Sequence, residues 1–555
     1  MTGFFFLNNF ITFFAYHQTQ NSLNNINTGV PAFSRLQTYS VCIVGLLAGI
    51  YFFVFKVIGW DFAYYPGDLG DGRFNMYVLE HAYKFLIGKE KSLWDAPFMF
   101  PENNIITYSD NLIGTAPLYG FFRLLGSNRE LSFQYWFVLV CSLNYLCGFV
   151  FFKTVFKNPF SATLGAFVFA FTMSLQSQMS HAQTFPRFAI PIAFLMMYKF
   201  YKDLNLVYLG FAIFALVFQF YCAIYLGFLL TFPLVLAICL VFVYKWKTTY
   251  LLIKEKYWLL KFVLVGVFNL LLLLPLMLPY YERSKTVGLN SYENIFNTIP
   301  TVGSYFFSQK GSLIWDFMST YLIEKLPSFW EHQLFSGAIA TLCFIAFLLI
   351  IIIKLFRSRK EDSKFIYVIF FTSVLSFIFF LRINNYSLYA FLFKIPGFAS
   401  LRCLTRIINI QVLFFGFSVS YIFTIIWKQK IKIKYVTFIL FFSLLIIDSY
   451  FYADKIYKKE KSVAQNRESK LIEKLKNVPK NSVVSYEPLQ IENSIIDYQI
   501  DAMLAAQTLD LICLNGYSST SPPNYGKYWE HPDSLSRAEW LNSFSPIEYK
   551  VQIVQ

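Results

Sequence analysis

Long apolar runs recur along this sequence, and each approaches the roughly 20 residues that a helix needs to cross a bilayer. They occupy 39–58, 131–152, 159–178, 188–202, 205–221, 223–244, 257–279, 333–353, 365–381, 406–427 and 435–451. Composition agrees: the chain is 56% hydrophobic and 14% charged, where a soluble protein would carry about 25% charged residues. The expected fold class is an α-helical polytopic membrane protein with about eleven transmembrane helices. The stretch 206–244 is nearly continuous, with a break expected near Gln219–Tyr225.

The connections between the runs orient the chain. One alternate set is basic: Lys153 and Lys157; Lys199 and Lys202; Lys245, Lys247, Lys254 and Lys256; Lys354, Arg357, Arg359, Lys360 and Lys364; Lys428, Lys430, Lys432 and Lys434. The other set mixes signs and holds the two longest loops, 59–130 and 280–332. By the positive-inside rule the basic set is cytoplasmic, which puts the N-terminus inside and the long loops outside. The net charge of +15 is thus largely spread over short loops, and no nucleic-acid partner is expected. The eight cysteines lie mostly within apolar runs and show no metal-binding spacing.

Three regions are expected: 1–38, cytoplasmic or interfacial; 39–451, the membrane unit; and 452–555, a small extracytoplasmic α/β domain. Residues 1–16 lack a cleavable signal pattern and read as an interfacial segment, followed by a polar stretch from Gln18 to Asn27. From Tyr452 the long apolar runs stop. Residues 482–486 and 510–514 read as strands, 498–508 as a helix, and Asn515–Tyr525 as a turn-rich loop. No nucleotide-binding loop, nucleophile elbow or zinc motif is present.

Polar residues gather at the external ends of the runs. Just past the first run, Pro66-Gly-Asp68-Leu-Gly-Asp71-Gly-Arg73 sets two carboxylates among three glycines. Such a pair suits divalent-metal binding or general-base work; it equally suits a solvated turn capping a helix that starts near Phe74. His181, in a short external loop, reads as a metal, phosphate or sugar contact or as a bystander. Arg187 at a helix start opposes the helix dipole, which points to a ligand or lipid phosphate, or to snorkelling. Glu331 and His332 stand at another external boundary. Arg402 and Arg406, four apart, would share one face of a helix and suit a phosphate or anchor on lipid headgroups.

Taken together, Pro66–Phe74, Tyr108-Ser-Asp110, Glu331-His-Gln-Leu-Phe335, Pro396–Arg402 and Asn515-Gly-Tyr-Ser518 resemble the GT-C membrane glycosyltransferases. That superfamily includes protein O-mannosyltransferases, oligosaccharyltransferase and the lipid A aminoarabinose transferase; the resemblance is to an uncharacterised bacterial branch. It implies a polyprenyl-phosphate-linked sugar as donor, an acceptor that is protein, lipid or glycan, and transfer outside a bacterial cytoplasmic membrane. By motif position the role of base falls on Asp68 or Asp71, with Asp71 favoured and Asp68 as its helper or a metal ligand, and both are candidate ligands of a divalent cation (Mg or Mn). Arg402, Arg406 and Arg187 are expected at the donor phosphate. Asp110, His181, Glu331 and His332 are candidates for the substrate pocket. The competing readings are a lipid or polysaccharide transporter or flippase, and a non-catalytic envelope assembly protein. Transporters place charged or broken segments near the bilayer midplane; here the runs are nearly free of charge and polar residues collect at one face, which favours interfacial chemistry.

Overall fold

The computed structural model describes residues 33–555 apart from 322, 324, 327, 358–363, 430–432, 453–457, 490–493 and 545–549. The expected interfacial segment 1–16 and its polar continuation lie outside the described residues, as do Arg359, Lys360, Lys430 and Lys432. The main helices are α1 (Arg35–Ile58), α2 (Asp71–Leu86), α3 (Arg129–Phe156), α4 (Pro159–Gln176), α5 (Ala189–Asp203), α6 (Leu206–Cys222), α7 (Ile224–Tyr244), α8 (Trp246–Ile253), α9 (Trp258–Val287), α10 (Ala338–Phe356), α11 (Phe365–Phe379), α12 (Leu404–Lys428), α13 (Lys434–Asp448), α14 (Lys461–Leu475) and α15 (Ile495–Thr508).

Among the described residues seven helices, α1, α3, α4, α7, α9, α10 and α12, are long and apolar enough to cross a membrane. α6 and α11 are apolar but shorter. α5 and α13 have 15 residues each, about 22 Å at 1.5 Å per residue, against a hydrocarbon core of about 30 Å. Every expected run therefore contains a helix, while seven have the length and composition of a span. The run 333–353 loses its start because the chain is not helical before Gly337, at φ 90°. The run 435–451 stops at Asp448, whose carboxylate accepts the N–H groups of Ala338 (3.1 Å) and Ile339 (3.0 Å) and the indole N–H of Trp315 (2.9 Å). Asp448 thus caps α10 from another helix.

Local chemistry sets the tight turns. α3 ends on Lys157 (φ 56°) and α5 on Leu204 (φ 53°), and the following Asn158 and Asn205 cap the next helix through their side-chain oxygens. One left-handed residue and one Asn suffice to reverse the chain. The break expected near 219–225 falls at Ala223, in extended conformation. Asn111 donates its amide to the Phe220 carbonyl (3.2 Å), and Asp110 accepts the Tyr225 N–H (3.3 Å). Two consecutive side chains therefore serve backbone groups that the break would orphan on both sides.

The bundle is tightest where α4 crosses α12. A Cβ on Gly165 would stand 2.0 Å from Ser420 Oγ and 2.5 Å from the Gly416 carbonyl; one on Gly416 would stand 2.5 Å from the Gly165 carbonyl. Across the same contact Ser420 donates to the Ser161 carbonyl (2.9 Å) and Thr424 to the Ser161 hydroxyl (2.9 Å). Small residues let the backbones touch, and hydroxyls fasten them.

Toward the C-terminus, strands β1 (Val483–Tyr486), β2 (Ile512–Cys513) and β3 (Val551–Val554) form a parallel sheet in the order β2-β1-β3. β2 is shorter than the expected 510–514, and β3 has no counterpart among the expected strands. Residues 97–100 of the first long loop run along β2: Cys513 N–H donates to the Pro97 carbonyl (3.0 Å) and Phe100 N–H to the Cys513 carbonyl (3.1 Å). Buried ions join the same parts. Arg73, 0% exposed, reaches Asp501 on α15 (2.6 Å) and Glu468 on α14 (3.6 Å); Arg129 also pairs with Glu468. The first loop and the C-terminal layer thus share a sheet edge and a charge network, across a boundary that composition alone would have drawn between them.

Candidate active site

The glycine-rich turn after α1 carries the site. Gly67 sits at φ +104°, and a Cβ there would lie 3.2 Å from the Met179 carbonyl and 3.7 Å from that of Ser180. Glycine lets the turn lie against the 179–181 backbone, which brings α2 next to His181. Asp68 Oδ1 accepts the Gly72 N–H (3.1 Å), so Asp68 caps the first turn of α2. Asp71 opens the helix and turns elsewhere.

Its two oxygens are held from two distant segments. Oδ2 lies 3.1 Å from His181 Nδ1, and Oδ1 accepts the Tyr517 hydroxyl at 2.5 Å. His181 Nε2 lies 3.6 Å from Glu331 Oε1, which in turn lies 3.9 Å from Arg406 Nη2. A chain of groups Tyr517–Asp71–His181–Glu331–Arg406 results, built from residues up to 446 apart in sequence. The Arg406 guanidinium stands 5.0 Å from the centre of the Tyr225 ring, and its buried Nε has no hydrogen-bond partner among the described residues.

The electrostatics follow from burial and pairing. Burial alone would raise the Asp71 carboxyl, but the bond to His181, then that from Tyr517 and the Arg406 charge, hold it below the ordinary carboxylate range. Glu331 is also pulled down, again against burial, by His181 and Arg406. His181 loses from burial and from Arg406, yet its two carboxylate neighbours carry it above the ordinary imidazole value. His181 thus lies between two carboxylates, both of which favour its protonated form. Asp68 is shifted the other way: burial raises it, and the neighbouring Asp71 charge adds to that.

The remaining candidates lie in other settings. His332 is buried, with Nδ1 2.8 Å from Ser304 Oγ and Nε2 2.8 Å from the Asn297 carbonyl. Successive residues of a 3-10 turn diverge by about 120°, and His332 braces its own loop while Glu331 faces His181. Arg187 is buried, bonded through Nη1 to the Thr184 carbonyl and Asn409 Oδ1, both at 3.2 Å, and desolvation lowers its pKa to about 10. Asp110 serves the helix break; burial raises it to about 6, although the Tyr225 N–H and the Arg406 charge pull it down. The expected shared face of Arg402 and Arg406 is absent: Cys403 is extended (φ −124°, ψ 98°), so Arg402 is exposed while Arg406 is buried. Arg402 Nη1 donates to the Ser519 carbonyl (3.5 Å). Tyr517 is the member of the cluster that sequence reasoning missed, although Asn515-Gly-Tyr-Ser518 contains it.

A cavity of about 510 Å³ adjoins this cluster, lined by Asp68, Leu69, Gly70, Arg467, Asp497 and Tyr517 among others. For a divalent cation the carboxylates at hand are Asp68, whose Oδ1 caps α2, and Asp71, whose oxygens are bonded to His181 and Tyr517; among the described residues no three acidic, His or Cys side chains are grouped to hold a metal.

No known family profile matches the sequence, and no curated protein matches it. Among solved structures the chain is similar to the oligosaccharyltransferase of Archaeoglobus fulgidus. Against the apo form the identity is 11% and the TM-score 0.45, over 87% of this chain and 65% of that one. Against its complex with an inhibitory peptide and a dolichol-phosphate the values are 11% and 0.46, over 86% and 64%. Against its complex with Zn and sulfate they are 11% and 0.47, over 90% and 66%. The chain thus spans just under two thirds of the length of these structures.

Proposed function

We propose that this chain is an integral membrane glycosyltransferase that moves a sugar from a polyprenyl-phosphate donor to an acceptor on the external side of a bacterial cytoplasmic membrane. The membrane unit is 39–451, and 452–555 stand outside with the two long loops. The reading rests on the motifs that resemble the GT-C glycosyltransferases. The single observation that supports it most is the Asp71 carboxylate, bonded to His181 and Tyr517 at the start of α2, just past the first apolar helix.

In this reading the acceptor O–H approaches Asp71. The acceptor oxygen bonds to the anomeric carbon of the sugar as the bond from that carbon to the phosphate oxygen breaks. Asp71 takes the acceptor proton, and the lipid phosphate leaves with the electron pair of the broken bond. Positive charge near that phosphate lowers the barrier because it acts where negative charge develops. Arg406, buried and with an unpartnered Nε, is the residue suited to this. Arg187 stands nearby through Asn409, which accepts from Arg187 and donates to the Arg406 carbonyl (3.0 Å). His181 and Tyr517 fix the base.

The test is sugar transfer by purified protein from a synthetic polyprenyl-phosphate sugar, with Asp71→Asn as the variant. Asn keeps the shape and removes the charge. The variant should insert and fold normally, while turnover falls by about two to four decades, the scale of a lost general base. Wild-type turnover in Asp71→Asn would remove the base from this residue. Donor carried intact across a vesicle membrane, with no sugar released, would replace the enzyme by a transporter.

A further inference from the structure

At the other end of the helices, α8 has the form of a membrane-surface segment. It joins α7 to α9, two helices long enough to cross a bilayer, through Lys245 on one side and residues 254–257 on the other. Its ends are therefore pinned where those helices leave the apolar layer. None of its eight residues is buried. Trp246, Tyr250 and Ile253 recur at i, i+4 and i+7, one stripe of an α-helix, and Tyr257 follows; they are 62%, 54%, 49% and 56% exposed. Leu251 beside them is 65% exposed. An apolar stripe this open faces lipid or a partner.

Charge decides between them. Residues 245–257 contain four lysines and one acid, Glu255. Lys254 Nζ lies 4.3 Å from the centre of the Tyr250 ring and Lys256 Nζ 5.3 Å from that of Tyr257, so cation and aromatic sit together. Lys245 also lies over Tyr201 (4.9 Å), while the rings beside Lys202 (Tyr198, 4.7 Å) and Lys434 (Trp427, 5.8 Å) are buried in the protein. Exposed aromatic rings with ammonium groups beside them, between two helices long enough to cross a bilayer, match the boundary between acyl chains and headgroups.

We infer that the α8 segment docks on an anionic lipid surface, its aromatic stripe seated at the acyl boundary and Lys245, Lys247, Lys254 and Lys256 against acidic headgroups. Basic residues near such a surface each gain from the negative potential, and salt screens the gain. Docking would also steady α9, a helix whose apolar window is 11% buried within the protein. This inference is independent of the glycosyltransferase reading.

The experiment uses the full chain in phosphatidylcholine nanodiscs containing a trace of pyrene-labelled phosphatidylglycerol or pyrene-labelled phosphatidylcholine. Energy transfer from tryptophan is measured for wild type and Trp246→Phe, and the difference isolates Trp246. The expected result is severalfold greater Trp246-dependent transfer to the labelled phosphatidylglycerol at low salt. High salt, or the variant K245Q/K247Q/K254Q/K256Q, should bring the two lipids toward equality. These lysine side chains are at the surface, and intact insertion of that variant is confirmed by its elution as a single species. Equal transfer to both lipids in wild type at low salt would overturn the anionic preference. Absence of Trp246-dependent transfer to either lipid would place the stripe in water or against a protein partner and overturn the docking.

Discussion

His181 is the residue on which the cluster turns, because it touches both carboxylates. Its pKa is raised on folding, so the stability it contributes is fully present below its unfolded value, about 6.5, and is lost as pH rises through the folded value. Asp71 and Glu331 are depressed, so their contribution is present above the ordinary carboxylate range, about 4, and is lost as pH falls through their folded values. All three contributions coexist between about pH 5 and 6.5. His181→Gln keeps a polar side chain without the charge. The melting temperature of wild type should exceed that of His181→Gln most in this window, and the gap should narrow as pH rises further. A gap that stays constant from pH 5 to 9 would mean that His181 folds neutral. Asp71, His181, Glu331 and Arg406 stood out in the sequence because each lies near the end of an apolar run, whereas Tyr517 lies far past the last of them. Their convergence did not stand out, since nothing local in the sequence ties Asp71 to His181 or Tyr517. The assumption of a helix through Arg402–Arg406 failed for a physical reason. Thr298, from another loop, donates to the Arg402 carbonyl (2.9 Å) and accepts the Leu404 N–H (3.2 Å), so these groups need no helical partner.

Helices are legible in the sequence and their ends less so, and the difference lies in what sets an end. Asn158 and Asn205 cap from within their own turn, which leaves a local mark in the sequence. Asp448 and the Asp110–Asn111 pair cap helices distant in sequence, which leaves none. Helix-to-helix contact is equally silent: glycine in an apolar run does not announce what it touches. Gly165 is the test. Its absent Cβ would overlap Ser420 Oγ at 2.0 Å and the Gly416 carbonyl at 2.5 Å, and a carbonyl cannot swing away. Gly165→Ala should therefore destabilise, although alanine is the better helix former by about 1 kcal/mol; overpacking costs about 1–3 kcal/mol. Gly266, where an added Cβ would meet nothing within 4 Å, is the control, and Gly266→Ala should be neutral or stabilising. Thermal unfolding in detergent reads both. Equal melting temperatures for the two variants would show that α4 and α12 are not in backbone contact.

For the whole molecule, composition divides membrane from water-facing sequence, yet the packing joins the first long loop to the C-terminal layer through Arg73, Asp501 and the strap along β2. Composition cannot see this, since an arginine next to a glycine-rich turn looks solvated until its partners arrive from about 400 residues away. The joint has a consequence for topology. If the chain spans a membrane, residues 97–100 and 461–513 lie on one side, and α8 with its lysines, between α7 and α9, lies at the other end of the bundle. The basic connections assign that other end to the cytoplasm. Two single cysteines, at Lys254 and at Ser469, both exposed positions, decide it in a background stripped of the eight native cysteines. In intact cells with a permeabilised outer barrier, an impermeant maleimide should label Ser469→Cys and leave Lys254→Cys unlabelled until the cytoplasmic membrane is opened. Labelling at 254 alone would invert the protein and put the Asp71 cluster in the cytoplasm, which would end the proposed external transfer. Labelling at both in sealed cells would mean that α7 and α9 do not cross, and would remove the spans from which the fold was read.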